Sequence, residues 1–301
     1  MAGRLPPLVG AASGVLLIGL TLAACGGGGE TPRTGSSAGV SLSATASATP
    51  TPVTPAPGDH DLSLVVDGFE RKYRVHAPPG YKPGKHLPLV VAFHCRPCDI
   101  SDIEQLSSLS SKADKERFIV VYPQGPGRKF GSSDVPFVEK LLDEVESTWG
   151  TDPHRVYATG FSNGASMSFR VAVDLPGRFA AIAPVSGPLN ALGGPQLGRV
   201  PTVPLSMVVF SGKSDGVVDR SVGEDLGEIM AELGCAKPSV KRTRSGQPMT
   251  VTSTTCPGGM DVDWYSVGGM GHGWPGADDP HPPVEATDVM WDFFSSHPGT
   301  A

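Results

Sequence analysis

Tyr157-Ala158-Thr159-Gly160-Phe161-Ser162-Asn163-Gly164-Ala165-Ser166-Met167 reads as a buried strand that breaks at Gly-x-Ser-x-Gly and goes on as a helix. A serine at a sharp strand-to-helix turn points its hydroxyl into a cleft, and the small residues beside it let the backbone turn tightly. Upstream, Arg155-Val156-Tyr157-Ala158 is short and apolar; downstream, Met167, Val171 and Leu175 recur at helical spacing until Pro176 stops the run. In a chain with 39 glycines among 301 residues the pentapeptide also turns up by chance, and Gly212-Lys213-Ser214-Asp215-Gly216 is a second match. That match follows a strand-like run, but Val217-Val218-Asp219 gives no clear helix start. Context therefore selects Ser162 as the candidate nucleophile.

A nucleophile of this kind is followed along the chain by an acid and then a histidine. Of eight histidines, only His272, His281 and His297 lie beyond Asp215. His272 sits in Gly268-Gly269-Met270-Gly271-His272-Gly273-Trp274-Pro275-Gly276, after a strand-like run at 262–267. A glycine-rich loop can carry an imidazole into a cleft without crowding it. His281 lies among aspartates and prolines that read as an exposed turn, and His297 is almost at the C-terminus. His272 is the candidate base. The acid is less fixed: Asp215 follows the apolar run Met207-Val208-Val209-Phe210 through a short turn, with a turn-capping role as its alternative and Asp219 as runner-up.

Several blocks in order then carry a family resemblance: Arg71-Lys72-Tyr73-Arg74-Val75, Pro78-Pro79-Gly80-Tyr81, Leu87-Pro88-Leu89-Val90-Val91-Ala92-Phe93-His94, Phe118-Ile119-Val120-Val121-Tyr122-Pro123, Gly160-Phe161-Ser162-Asn163-Gly164, Arg178-Phe179-Ala180-Ala181-Ile182-Ala183-Pro184-Val185, Ser214-Asp215-Gly216-Val217-Val218 and Gly271-His272-Gly273-Trp274-Pro275-Gly276. Residues 59–298 resemble the extracellular esterases grouped with polyhydroxybutyrate depolymerases and feruloyl or acetyl-xylan esterases. The resemblance implies an α/β-hydrolase, with a mostly parallel sheet flanked by helices on both faces. It implies hydrolysis of a carboxylic ester, either a hydroxyalkanoate oligomer or an acyl group on a polysaccharide, by a Ser162–His272–Asp215 triad that needs no cofactor and no metal.

The loop after His94 departs from that family, whose members place glycine after the histidine. Here the run is His94-Cys95-Arg96-Pro97-Cys98. One oxyanion donor is expected from the backbone N–H of Asn163, the residue after the nucleophile, and a second from Cys95 or Arg96. The family's tryptophan-bearing stretch after Pro123-Gln124-Gly125 is also shortened here, to Pro126-Gly127-Arg128-Lys129-Phe130. Trp274 beside the histidine is a candidate substrate-binding ring, with packing under the loop as its alternative.

Arg4 and the apolar run at 8–22, too short to span a bilayer comfortably, read as a signal peptide. It ends Leu22-Ala23-Ala24-Cys25, which is similar to a bacterial lipobox, so residues 1–25 are expected to be a lipoprotein leader, with Cys25 the lipidation site and membrane anchor of an outward-facing protein. Residues 26–58, rich in Gly, Ser, Thr and Pro, have too little apolar content to fold and make a spacer. Residues 59–301 are left for the esterase domain. Apart from Cys25 four cysteines remain, and the favoured pairs are Cys235 with Cys256 and Cys95 with Cys98. A thioredoxin-like use of Cys95 and Cys98 is the lesser reading, because the surrounding strand and loop already have a place in a hydrolase, and no histidine or second Cys-x-x-Cys follows at zinc-site spacing.

Strand-like runs at 87–94, 118–122, 155–158, 204–210 and 260–267 alternate with helical patterns. The clearest helix spans 134–149, with Phe137, Leu141, Val145 and Trp149 repeating every four residues as a core stripe. A last helix at 284–296 should close the sheet. The net charge of −6 without a basic cluster argues against nucleic acid. The competing readings are a binding lipoprotein on a catalytically weakened hydrolase scaffold, motivated by the Cys95 loop, and an exported thiol-disulfide module.

Overall fold

Apolar runs that stay apolar at every position form strands covered on both faces. Leu89–Phe93 (β3), Ile119–Pro123 (β4), Val156–Phe161 (β5), Ala181–Val185 (β6) and Ser206–Gly212 (β7) are buried at every residue. Alternation across the pleat divides them between two cores: Leu89, Val91 and Phe93 pack into one, Val90 and Ala92 into the other. The computed structural model describes residues 53–189, 192, 201–243, 248–277 and 282–299.

Four further strands and β10 complete the sheet: Gly58–Val66 (β1), Phe69–Ala77 (β2), Ser239–Thr243 (β8), Met249–Cys256 (β9) and Met260–Val267 (β10). The order is β1-β2-β4-β3-β5-β6-β7-β10-β9-β8. From β4 through β10 the neighbours are parallel, while β1, β2, β9 and β8 join antiparallel at the two edges. This is the α/β-hydrolase fold, and all five strand-like runs expected from the sequence are in it.

The expected 134–149 helix is Val135–Trp149 (α3), which buries Phe137, Leu141, Val145 and Trp149 in the first core. Asn163–Asp174 (α4) lies against the same face. Ala286–Ser296 (α6), the expected closing helix, covers the other face, where Trp291 stacks on Phe118 and Phe294 on Tyr157. Two short helices, Ile100–Ser107 (α1) and Leu109–Glu116 (α2), follow β3.

Three features were not read from the sequence. Asp219–Glu232 forms a helix (α5) after β7, although residues 217–219 carry no clear start signal. The polar stretch between Cys235 and Cys256 is the antiparallel β8–β9 pair, whose edge strand is exposed throughout and carries Lys241 and Arg242, charges that discourage further pairing. The first strand starts at Gly58, and Val53 already packs against the core. Both expected disulfides, Cys95–Cys98 and Cys235–Cys256, are formed. No helix among the described residues is long and apolar enough to cross a membrane. The leader, Cys25 and residues 26–52 of the expected spacer lie outside the described residues.

Candidate active site

The carboxyl ends of β3, β5, β7 and β10 share one rim of the sheet, and each opens into a loop holding predicted site residues. Ser162 stands between β5 and α4 with φ 56° and ψ −113°, a conformation that costs a non-glycine residue about 1–3 kcal/mol. Surrounding bonds hold it: its N–H donates to the Val185 carbonyl at 2.9 Å, and its own carbonyl receives the Ser166 N–H at 3.2 Å as α4 begins. Gly164 completes the turn, since a methyl group there would overlap the Phe93 carbonyl oxygen at the end of β3. Ser214 of the second pentapeptide lies in an exposed turn several residues ahead of α5, with no such backbone.

Asp215 follows β7, its carboxylate fully buried. Oδ1 accepts the backbone N–H groups of Val217 at 2.8 Å and Val218 at 3.1 Å, which fixes the plane of the carboxylate. Oδ2 accepts Nδ1–H of His272 at 2.8 Å. The structure thus pairs the histidine with Asp215; Asp219 opens α5, and its side chain lies outside the described residues.

The His272 side chain is about a quarter exposed and rests on the ring of Phe161, centroid to centroid 4.8 Å. The loop that carries it is pinned on two sides: Ser214 N–H donates to the Met270 carbonyl at 2.9 Å, and Ser186 Oγ–H to the Gly273 carbonyl at 2.7 Å. Gly212 at the end of β7 lets the loop come this close, because a side chain there would strike the Met270 and Gly271 carbonyls. Asp215 and His272 are therefore joined directly. Ser162 meets them through its neighbour Phe161, with no direct Ser162–His272 hydrogen bond among the described residues.

The loop after β3, where the second oxyanion donor is expected, is built on a residue whose bonding the sequence did not disclose. His94 is fully buried. Its Nε2 receives the Gly125 N–H at 2.9 Å and faces the Gln124 amide at 3.0 Å, so the ring proton sits on Nδ1 and is donated to the Cys95 carbonyl at 2.7 Å. The same carbonyl receives the Cys98 N–H at 3.1 Å. Because C=O and N–H of one trans peptide point in opposite directions, the Arg96 N–H is turned away from this buried knot. Cys95 itself is only 6% exposed, whereas Arg96 is exposed. The Asn163 side chain clamps the loop after β4: its Oδ1 accepts the Phe130 N–H at 2.7 Å and its Nδ2–H donates to the Phe130 carbonyl at 3.1 Å. Its backbone N–H opens α4, among the four that a helix leaves without an internal acceptor.

Burial holds His94 below the usual imidazole range. The unfolded chain takes up a proton there below about pH 6.5 while the folded one stays neutral, so stability falls as the pH drops through that region. His76 acts with the opposite sign. Burial would lower it, but its hydrogen bonds to Asp59 and Asp114 raise it, so its contribution is full below about pH 6.5 and is lost as the pH rises through its folded value. The readout is therefore a difference: the thermal midpoint of the wild type should fall more steeply between pH 7 and pH 5 than that of His94→Gln. Equal slopes would contradict a neutral His94.

Trp274 does not provide an open ring. It is 5% exposed, and its indole N–H donates to Thr287 Oγ1 at 3.0 Å, whose hydroxyl in turn donates to the Ser107 carbonyl. The expectation of substrate stacking is corrected to packing: α6 and the end of α1 cover the side chain because burying the indole and satisfying its N–H both require it. Donor atoms of Asp59, His76 and Glu104 lie within 4.8 Å of one another. Those groups are spent on local partners, His76 on Asp59 and Asp114 and Glu104 on Arg74 at 2.7 Å, which makes the cluster a charge network.

No protein-family model matches the chain. A Nocardia uniformis subsp. tsuyamanensis protein, NocK, which carries esterase in its name, is 29% identical over 75% of this chain and 77% of its own length. Feruloyl esterase D of Neurospora crassa is 27% identical over 78% of this chain and 84% of its own. The poly(3-hydroxyalkanoate) depolymerase C of Paucimonas lemoignei is 31% identical over a shorter stretch, 37% of this chain and 30% of its own. Among solved structures, the acetyl xylan esterase from Aspergillus awamori superposes with a TM-score of 0.58 at 19% identity, over 79% of this chain and 99% of its own; at that identity the likeness speaks to the fold alone. The chain is related to named esterases and has the α/β-hydrolase fold.

Proposed function

From that relationship and the site's geometry we propose that the chain is a serine esterase in which Ser162, His272 and Asp215 act as nucleophile, base and orienting acid. The observation that carries the reading is the buried Asp215 carboxylate, held by two backbone N–H groups and bonded to His272 Nδ1, beside a serine in strained backbone. With Nδ1 protonated, Nε2 is free to accept the Ser162 proton as the hydroxyl attacks an ester carbonyl. Asp215 stabilises the imidazolium that results. The carbonyl oxygen becomes an oxyanion, to which the N–H groups of Asn163 and Arg96 donate. His272 returns the proton to the departing alcohol, and water then releases the acyl group by the same route in reverse.

The relatives' names point to carboxylic esters whose acyl group sits on a polysaccharide, or to hydroxyalkanoate oligomers. Export fits the apolar leader, Cys25 and two disulfides, which form in oxidising compartments. In this account Cys25 carries the lipid anchor, residues 26–58 form the spacer and residues 59–301 the esterase domain. The full chain should hydrolyse p-nitrophenyl acetate and butyrate at micromolar enzyme. A folded chain that turns over neither ester would favour the binding-lipoprotein reading, with the Cys95–Cys98 turn as its motive.

A further inference from the structure

The candidate nucleophile and base are carried by different parts of the sheet. Ser162 stands between β5 and α4, while the His272 loop leaves β10 and is bonded to the Asp215 turn after β7. β6 lies between β5 and β7. The residues that follow it, Ser186 and Gly187, therefore come between the two halves of the site.

This segment packs against the nucleophile turn on one side. Val185, the last residue of β6, accepts the Ser162 N–H on its carbonyl at 2.9 Å. A methyl group at Gly187 would overlap the Ser162 carbonyl oxygen and crowd the Ala165 side chain. On the other side, Ser186 N–H donates to the Phe210 carbonyl of β7 at 2.8 Å. Its hydroxyl donates to the carbonyl of Gly273, the residue after His272, at 2.7 Å. Ser186 is fully buried and does this from φ 47°, a backbone that glycine adopts without steric cost and serine does not. What serine adds there is the hydroxyl.

That bond acts where the site is otherwise least fixed. Asp215 holds His272 at Nδ1 alone, so the separation of Nε2 from Ser162 depends on where the loop lies. Gly271 and Gly273 flank the histidine, and each leaves the backbone freer than another residue would. The Gly273 carbonyl is tied to Ser186, and the neighbours of Ser186 are packed on the Ser162 turn. The two reacting side chains thus share one support.

We propose that Ser186 is a positioning residue, whose hydroxyl sets the distance of His272 from Ser162 that proton transfer requires. The proposal rests on the esterase reading. Its test compares full chains carrying Ser186→Ala, Ser186→Gly and, as a control, Ser168→Ala, which removes an equally buried hydroxyl that donates to the Ala165 carbonyl within α4. Ser186→Ala keeps the Cβ and loses only the hydroxyl. It should lower both kcat for p-nitrophenyl acetate and the rate of fluorophosphonate labelling by about ten- to a hundredfold, the scale of a misplacement of about 1 Å. KM should hold, and the pH midpoint of kcat/KM should stay in place while the plateau falls, because the Asp215–His272 bond is kept. Ser186→Gly should lose the same rate although its backbone is relieved, and Ser168→Ala should keep the wild-type rate. Thermal unfolding gives the temperature at which every variant is folded.

An active wild type with Ser186→Ala or Ser186→Gly within about twofold of its kcat, even at a lowered thermal midpoint, would make Ser186 a structural residue and overturn the proposal. So would an equal loss in Ser168→Ala, or a shifted pH midpoint at an unchanged plateau. A wild type that neither turns over the ester nor takes the label would overturn the esterase reading and this proposal with it.

Discussion

Ser162→Ala is expected to lower kcat for p-nitrophenyl acetate by about 10⁶-fold, the scale on which a serine hydrolase loses rate without its nucleophile. The same substitution should leave the thermal midpoint nearly unchanged. Alanine and serine pay a similar penalty at φ 56°, and the bonds that hold this turn come from the backbone N–H and carbonyl of residue 162, which the variant keeps. A surface-accessible exchange that removes no buried hydrogen bond stays within about 0.5 kcal/mol. A large loss of rate at constant stability separates a chemical role for Ser162 from a structural one. A variant retaining a tenth or more of the wild-type rate would remove Ser162 from the mechanism.

Asp215→Asn should cost about 10⁴-fold in kcat with the site still assembled. An asparagine Oδ1 can keep accepting from Val217 and Val218, so the turn survives. Its Nδ2–H₂, however, now donates toward His272 Nδ1 and leaves the ring proton on Nε2, where it blocks acceptance from Ser162. Asp215→Ala should lose a comparable rate and also stability, because the buried Val218 N–H and the part-buried Val217 N–H lose their acceptor, at about 1–3 kcal/mol for a buried group left unsatisfied. Steady-state rates and thermal unfolding on the two variants check both halves of the argument. Near-normal activity in Asp215→Asn would mean that another carboxylate orients His272.

The sequence made the central strands visible because each is apolar on both faces, as at Val90-Val91-Ala92-Phe93, and such runs have few other uses. It made the α3 stripe visible for the matching reason, a clean helical period. The edges were harder. β1 is half exposed along its length and carries His60, Asp61 and Ser63 among its apolar residues, so neither period stands out. α5 opens without a side-chain cap, which hides its start.

At the site, Ser162, Asp215 and His272 could be named as candidates because chain order and local pattern agree. The work of His94 could not. Its function depends on Gln124 and Gly125, thirty and more residues away, whose bonds to Nε2 decide which nitrogen carries the proton. The proposal of Arg96 rather than Cys95 as donor likewise rests on which carbonyl the ring grips, a matter of peptide orientation that residue identity does not encode. Trp274 was ambiguous for a related reason: an indole near a catalytic loop serves equally well as a platform or a wedge until its N–H partner, Thr287, is known.

If Ser162 is an activated nucleophile, a covalent probe reads it out without any choice of substrate. The native full chain would be treated with a fluorophosphonate, digested, and its serine-bearing peptides weighed. A single phosphonyl adduct on Ser162 is expected, absent after heat denaturation and strongly slowed in Asp215→Asn. An adduct on Ser214, or a folded chain that resists the reagent, would contradict it.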